Sequence, residues 1–165
     1  MAGSTNKRVV IQRFERESLS GFVNPSKFLS GNTIELLTQS GVVSLVSCAE
    51  VKSVFFVREF GPDDPGAGRR TFLSRPKLDG LWVRLAFRDG DSLEAVMPNN
   101  LLQVGNEGLH VVPPSGAQRV FVPREALTSV QVLGVVGSPL RPAREKRRQE
   151  PRQQIGLFEG PERQS

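Results

Sequence analysis

The sequence predicts an all-β protein: two tandem five-stranded antiparallel units of the small-barrel type, followed by a basic disordered tail. Three observations predict it. An internal repeat runs through most of the chain, short stretches of period-2 apolar alternation are punctuated by turn residues, and the C-terminal segment is charged and proline-rich. Aligning the stretch from Arg8 with the stretch from Trp82 sets Val10 and Phe14 on Val83 and Phe87, and Leu19 on Leu93. It sets Gly31-Asn32 on Gly105-Asn106, and Ile34, Leu36 and Leu37 on Leu109, Val111 and Val112. Further on, Leu45-Val46 falls on Phe121-Val122 and Ser53-Val54 on Ser129-Val130. Apolar positions and turn residues stay in step together, the mark of duplication rather than of shared composition.

The second copy is the clearer of the two. Val83, Leu85 and Phe87 alternate with Trp82, Arg84 and Ala86, the pattern of a half-buried strand. Asp89-Gly90 supplies the positive φ of a hairpin turn, and residues 92–97 return. A polar connection from Asn99-Asn100 ends at Gly105-Asn106; residues 107–112 make a third strand, stopped by Pro113-Pro114, which lack ladder donors. Ser115-Gly116 turns the chain into a fourth strand over 118–122, Pro123–Ala126 forms a single helical turn, and residues 128–133 form a fifth strand. These elements divide the chain into a disordered N-terminus (1–7), a first repeat (8–58), a linker (59–81), a second repeat (82–136) and the tail (137–165). The linker opens with an exposed Pro/Gly/Asp loop, Phe60–Gly68, and continues with Phe72, Leu73, Leu78 and Leu81, which can lie against a barrel. A unit of roughly 50 residues buries little apolar surface by itself, so the copies are expected to pack together or to share a sheet.

Charge narrows the function classes. The tail holds seven Lys/Arg and four Glu, net +3, out of +5 for the whole chain, which leaves residues 1–136 at +2. The folded part is therefore near neutral and lacks the clustered basic face of a duplex-binding surface. A single Cys, Cys48, precludes an intramolecular disulfide, suits a reducing cytoplasm, and with the one histidine, His110, does not make a Cys/His metal site. The N-terminus lacks the apolar stretch of a signal peptide, and no apolar run reaches the ~20 residues of a membrane-spanning helix. The expectation is a cytoplasmic protein with no membrane partner and no cofactor.

The stretch RPKLDGLWVRLAFRDGDSLEAVMPNNLL, continued by GLHVVPP and QRVFVPREALTSVQVLGVVGS, resembles an uncharacterised bacterial domain family found chiefly in acidobacterial proteins. That resemblance covers residues 59–138 and reaches the first copy through the repeat; it implies no catalytic activity. More distantly, the turn, Leu93, polar connection, Leu109 and Val120-Phe121-Val122-Pro123…Val130 resemble the two segments of an Sm-like barrel. The uridine-binding Asp and Asn of that family have no counterpart near Asn99 or Asn106. Its basic residue–Gly pair is replaced by Pro123-Arg124 and Ser47-Cys48, which removes the RNA pocket.

Each candidate for chemistry has a plainer reading beside it. Cys48 as a nucleophile would need a base and an orienting group, and its counterpart in the second copy is Arg124, so it reads as a buried thiol. His110 falls on the outer face of its strand with no carboxylate close by in sequence. Glu59, Asp63 and Asp64 lack the spaced oxygens of a hard-cation loop. Gly66–Arg70 offers backbone donors and two guanidinium groups to a phosphate but lacks a strand-loop-helix context. Arg69, Arg70 and Arg75 resemble the arginines with which a PilZ domain holds a cyclic dinucleotide. The companion Asp/Asn-x-Ser-x-x-Gly element is absent, Asp89–Ser92 having the wrong spacing, so that ligand is not expected. Trp82 is placed to stack a base or fill an interface. In the tail, Arg144, Lys146, Arg147 and Arg148 form a basic cluster able to meet phosphates or an acidic protein. Gln154, Ile155, Leu157 and Phe158 form an apolar island that resembles the pentapeptide with which bacterial proteins dock on the replicative sliding clamp; Gly156 departs from it.

With no catalytic set assembled, the sequence predicts a non-enzymatic binding or scaffold module that engages a protein partner in a regulatory role. The alternative is a nucleic-acid-binding Sm-like tandem with a basic tail.

Overall fold

The structure, a computed structural model, describes residues 5–115 and 119–137. Among these residues the chain forms eleven strands: β1 (Lys7–Arg13), β2 (Leu19–Val23), β3 (Leu29–Ser30), β4 (Thr33–Thr38), β5 (Val43–Ser47), β6 (Val51–Val57), β7 (Gly80–Phe87), β8 (Ser92–Met97), β9 (Gly108–Val111), β10 (Arg119–Pro123) and β11 (Leu127–Val136). Single 3-10 turns at Cys48–Glu50 and Arg124–Ala126 lead into β6 and β11. The Asp89-Gly90 hairpin forms as its sequence requires, with Gly90 at φ 91° and Phe87 N–H donating to Asp91 O at 2.8 Å.

The strand pairings of the first half run β5–β4–β2–β1–β6, with β3 an added short strand on β4. The second half runs β10–β9, then β8–β7–β11, and β8 meets the end of β9 through one reciprocal bridge, Val96 to Val112, at 3.0 and 2.8 Å. The registers correspond. Ile11 faces Leu19 as Leu85 faces Leu93; Ile34 faces Val46 as Leu109 faces Val122; Phe22 faces Leu37 as Val96 faces Val112.

The first strand corrects the sequence alignment by one residue. Arg13 pairs with Val51 where Phe87 pairs with Leu127, so Val9 and Ile11, not Val10, occupy the places of Val83 and Leu85. Phe14 is therefore not the counterpart of Phe87. The cause lies in Val9-Val10-Ile11. This run is buried on both faces, Val9 and Ile11 in one core and Val10 in the other, so its composition does not fix a register that alternation normally would.

The expected barrels do not close. The free side of β6 is taken by β10, with Phe56, Phe55 and Val54 facing Arg119, Val120 and Phe121, so the first half continues into the second instead of curling back on β5. The strands β1 and β6 thus lie between two cores. Phe55 packs with the second-half residues, and Phe121 of β10 packs into the first-half core beside Ile34, Val51 and Val54. A polar clasp joins the halves: Lys52, itself buried, places Nζ 2.7 Å from Asp89 and 2.9 Å from Asp91, and Arg88 donates to Ala49 O at 2.6 Å while covering the Phe14 ring.

Candidate interaction surface

The strands form an eight-stranded sheet and a three-stranded sheet, β11–β7–β8, joined by the Val96–Val112 bridge. Among the described residues β5 pairs only with β4, and β11 only with β7, so each has an open side. Outer strands usually carry charges, prolines or bulges that stop other chains from adding to them. β5 reads VSLVS and carries none of these, while β11 reads LTSVQVLGVV and has register irregularities at Leu127/Ser129 and Val132/Gly134 that flank a regular run over 129–132. Their apolar side chains stand in solvent, with Val43 57% and Leu45 69% exposed on β5, and Val130 42% and Val132 57% exposed on β11. A groove of about 310 Å³ borders β11, lined by Val104, Gly108, Leu109, Leu127 and Val130. Unpaired backbone beside apolar side chains and a groove is the arrangement that accepts an added strand, whose main chain supplies the hydrogen bonds and whose side chains fill the pocket.

The Pro/Gly/Asp loop borders a second, wider cleft of about 520 Å³, where Asp63 and Asp64 meet Val10, Val57 and Phe60. Asp64 spends one oxygen on its own turn, accepting from Gly66 N–H at 2.9 Å. Among the described residues no three His, Cys, Asp or Glu side chains come together as a metal site, and no helix is long and apolar enough to cross a membrane.

Residues 5–134 match a family of unknown function, DUF6982. The chain belongs to that family. No curated protein and no solved structure matches it.

The residues singled out from sequence are mostly held in structural roles. Cys48 is buried in the first core, and burial, aided by the Glu125 charge, pushes its thiol pKa up to about 11, the opposite of an activated nucleophile. His110 is exposed, but as the cross-strand partner of Phe121 it stands on the first-core side of β9 and not on an outer face, its ring 5.0 Å from that of Phe121; desolvation and then the Arg119 charge hold its pKa below the usual imidazole value. Trp82 donates from Nε1 to Glu94 at 3.3 Å and meets the Phe72 ring edge-on. Glu94, itself buried, also accepts from Phe72 N–H and from Arg84. Trp82 therefore anchors the linker to the second sheet. Two of the three candidate anion-binding arginines are engaged within the fold: Arg70 bonds Asp91, Ser92 O and Gly66 O, and Arg75 bonds Val135 O. The basic cluster Arg144, Lys146, Arg147 and Arg148 and the island Gln154, Ile155, Leu157 and Phe158 lie outside the described residues.

Sequence reasoning did not find the outer strands. Val43, Leu45, Val130 and Val132 read as ordinary strand interiors, and only the sheet order turns them into a surface.

Proposed function

We propose that the chain is a non-enzymatic protein-binding module, an internal duplication of a five-stranded unit, which takes up strands of protein partners on its open edges. The observation that carries this reading is the exposure of Val43, Leu45, Val130 and Val132 on two strands that each have, among the described residues, a neighbour on one side alone. The matching strand order and registers of the halves support the duplication. The 3-10 turn before each final strand supports kinship with Sm-like barrels, in a bacterial cytoplasmic protein. The tail adds a second contact in this reading. Arg144, Lys146, Arg147 and Arg148 draw an acidic partner, and Gln154, Ile155, Leu157 and Phe158 dock on a groove such as that of the sliding clamp.

Burying a Leu or Val side chain contributes about 1.5–3 kcal/mol before ordering costs, so a strand seated on two or three such residues binds with roughly micromolar affinity. The test is selection from a displayed peptide library against the immobilised protein, with labelled RNA and DNA titrated in parallel over a salt series. The expected result is enrichment of peptides with alternating apolar residues, lost on a Leu45→Lys/Val130→Lys variant. No edge-dependent enrichment, with nucleic-acid binding that weakens steeply as salt rises, overturns this reading in favour of a nucleic-acid module.

A further inference from the structure

The two open edges are complementary to each other, and the molecule already contains the junction that would join them. Internally, β6 meets β10 with Val54 facing Phe121 and Phe56 facing Arg119. The shared registers identify the counterparts. The final strand of the second half is β11, where Val130 and Val132 hold the places of Val54 and Phe56, since Leu127 stands where Val51 does. The fourth strand of the first half is β5, where Leu45 and Val43 hold the places of Phe121 and Arg119, since Val46 stands where Val122 does.

Every one of these positions on the internal side is covered or engaged. Val54, Phe56 and Phe121 are 0%, 4% and 1% exposed, and the Arg119 guanidinium lies 4.2 Å above the Phe56 ring. All four counterparts on the open edges are apolar and in solvent. The receiving sites correspond as well. Phe121 enters a core formed by Ile34, Val51 and Val54. The counterparts of those three residues are Leu109, Leu127 and Val130, and they line the groove of about 310 Å³ beside β11. Leu45 is thus a knob, and that groove is its hole.

We propose that the partner that adds to β11 is the β5 strand of a second copy of this chain, so that the protein self-assembles head to tail through a repetition of its own β6–β10 junction. The inference rests on the strand-addition reading and names the occupant. The expected register places Leu45 of one copy opposite Val130 of the next, Ser44 opposite Gln131, and Val43 opposite Val132. The contact is heterologous, each copy donating β5 and receiving on β11, so assembly proceeds to a ring if the repeated rotation closes and to a filament if it does not.

The experiment is sedimentation velocity of the full chain over a concentration series, with single-edge variants. Leu45→Lys disables the donating edge alone, and Val130→Lys/Val132→Lys the receiving edge alone. The wild type is expected to associate, and each variant to weaken association by about tenfold or more. Mixing the two variants is expected to restore a complex that stops at one copy of each, because one intact donating edge and one intact receiving edge remain. Circular dichroism checks that the variants fold. As a measure that leaves both edges free of added charge, Ser44→Cys/Gln131→Cys in a Cys48→Ala background, its fold checked in the same way, is expected to cross-link chains under oxidation. A wild type that stays monomeric at every concentration, association indifferent to the edge variants, or a mixture that forms no pair overturns the proposal. Strand uptake from other proteins is read separately by the peptide selection, so failure here with success there rejects self-assembly alone.

Discussion

Phe121→Ala tests the way the two halves are joined. Phe121 belongs to β10, a second-half strand, yet its side chain is 1% exposed and sits in the first-half core, with the Phe28 ring 5.3 Å away in an edge-to-face contact and the His110 ring at 5.0 Å. Truncating a buried Phe costs about 3–5 kcal/mol through lost transfer energy and the cavity left behind. The aromatic neighbours add about 0.5–1.5 kcal/mol per favourable pair, which puts the expectation at the upper end of that range. With a urea slope of about 2 kcal/mol per molar, the denaturation midpoint falls by roughly 2–2.5 M. The comparison is Leu45→Ala at the corresponding position of β5, 69% exposed, where the cost to the monomer is within about 0.5 kcal/mol.

The assay is urea unfolding followed both by far-ultraviolet circular dichroism and by Trp82 fluorescence. Trp82 is on β7 in the second half, while the perturbed core belongs to the first. If the β6–β10 junction couples the halves, both probes shift together and report one transition, before and after the substitution. A midpoint change below about 0.5 M, or two transitions separated in the wild type, refutes the placement of Phe121 at a shared core.

Other outcomes follow from the same geometry. Cys48, buried and with its thiol pKa at about 11, should react with a thiol reagent at pH 8 only on unfolding, which a time course with and without urea reads directly; rapid labelling of the native protein contradicts its burial. For Asp89 and Asp91 burial opposes ionisation, but the Lys52 hydrogen bond and charge, local backbone donors and, for Asp91, the Arg70 charge outweigh it, so both pKa values lie below the usual carboxylate range. Their contribution is therefore fully present above the unfolded value near ~3.9 and lost as pH falls through the lower folded values; Lys52→Met should flatten the stability profile below about pH 4, and an unchanged acid limb contradicts the clasp. A labelled peptide of residues 150–162 is expected to bind the sliding clamp at roughly micromolar strength, and Leu157→Ala/Phe158→Ala to abolish it; equal binding by both peptides rejects docking through that island.

Local features were legible because local chemistry sets them. Asp89-Gly90 dictated its hairpin, Pro113-Pro114 ended β9, and the turn at Arg124–Ala126 lay where Pro123 begins a helical turn. The correspondence of Ile34 with Leu109 and of Val46 with Val122 across the repeat was legible too, since Ile34 and Leu36 flank an exposed residue on β4 and the turn pairs Gly31-Asn32 and Gly105-Asn106 set the phase. The one-residue error at β1 arose where that alternation fails, at Val9-Val10-Ile11, buried on both sides by two different cores. The linker was legible only in part. Phe72 does lie against the second sheet, but Leu73 stands exposed, and the polar anchor through Glu94 and Trp82 joins residues far apart in sequence.

The outer strands were illegible for a deeper reason. Whether a strand has one neighbour or two is a property of the sheet, not of the strand, and an apolar alternation reads the same in both cases. Leu45 and Phe121 hold equivalent places in the repeat, and the one trace of the difference in VSLVS against RVFVP is Ser44 in the place of Val120, which leaves β10 alone apolar on both faces. The structure supplies the missing fact: β10 has β6 beside it, and β5 has no second neighbour among the described residues. Once that is known, the sequence becomes informative again. Isolated apolar side chains on a surface need no explanation, but these four fall at the positions where, one repeat away, the same fold makes a junction. An edge built to remain alone has inexpensive means of doing so, a lysine or a proline at Leu45 or Val132 being enough. Both edges lack them at the register-equivalent positions, the irregularities of β11 falling on either side of 129–132, and their knob and groove are of opposite kind. Solubility alone does not explain that pairing of features; a second chain extending the sheet does.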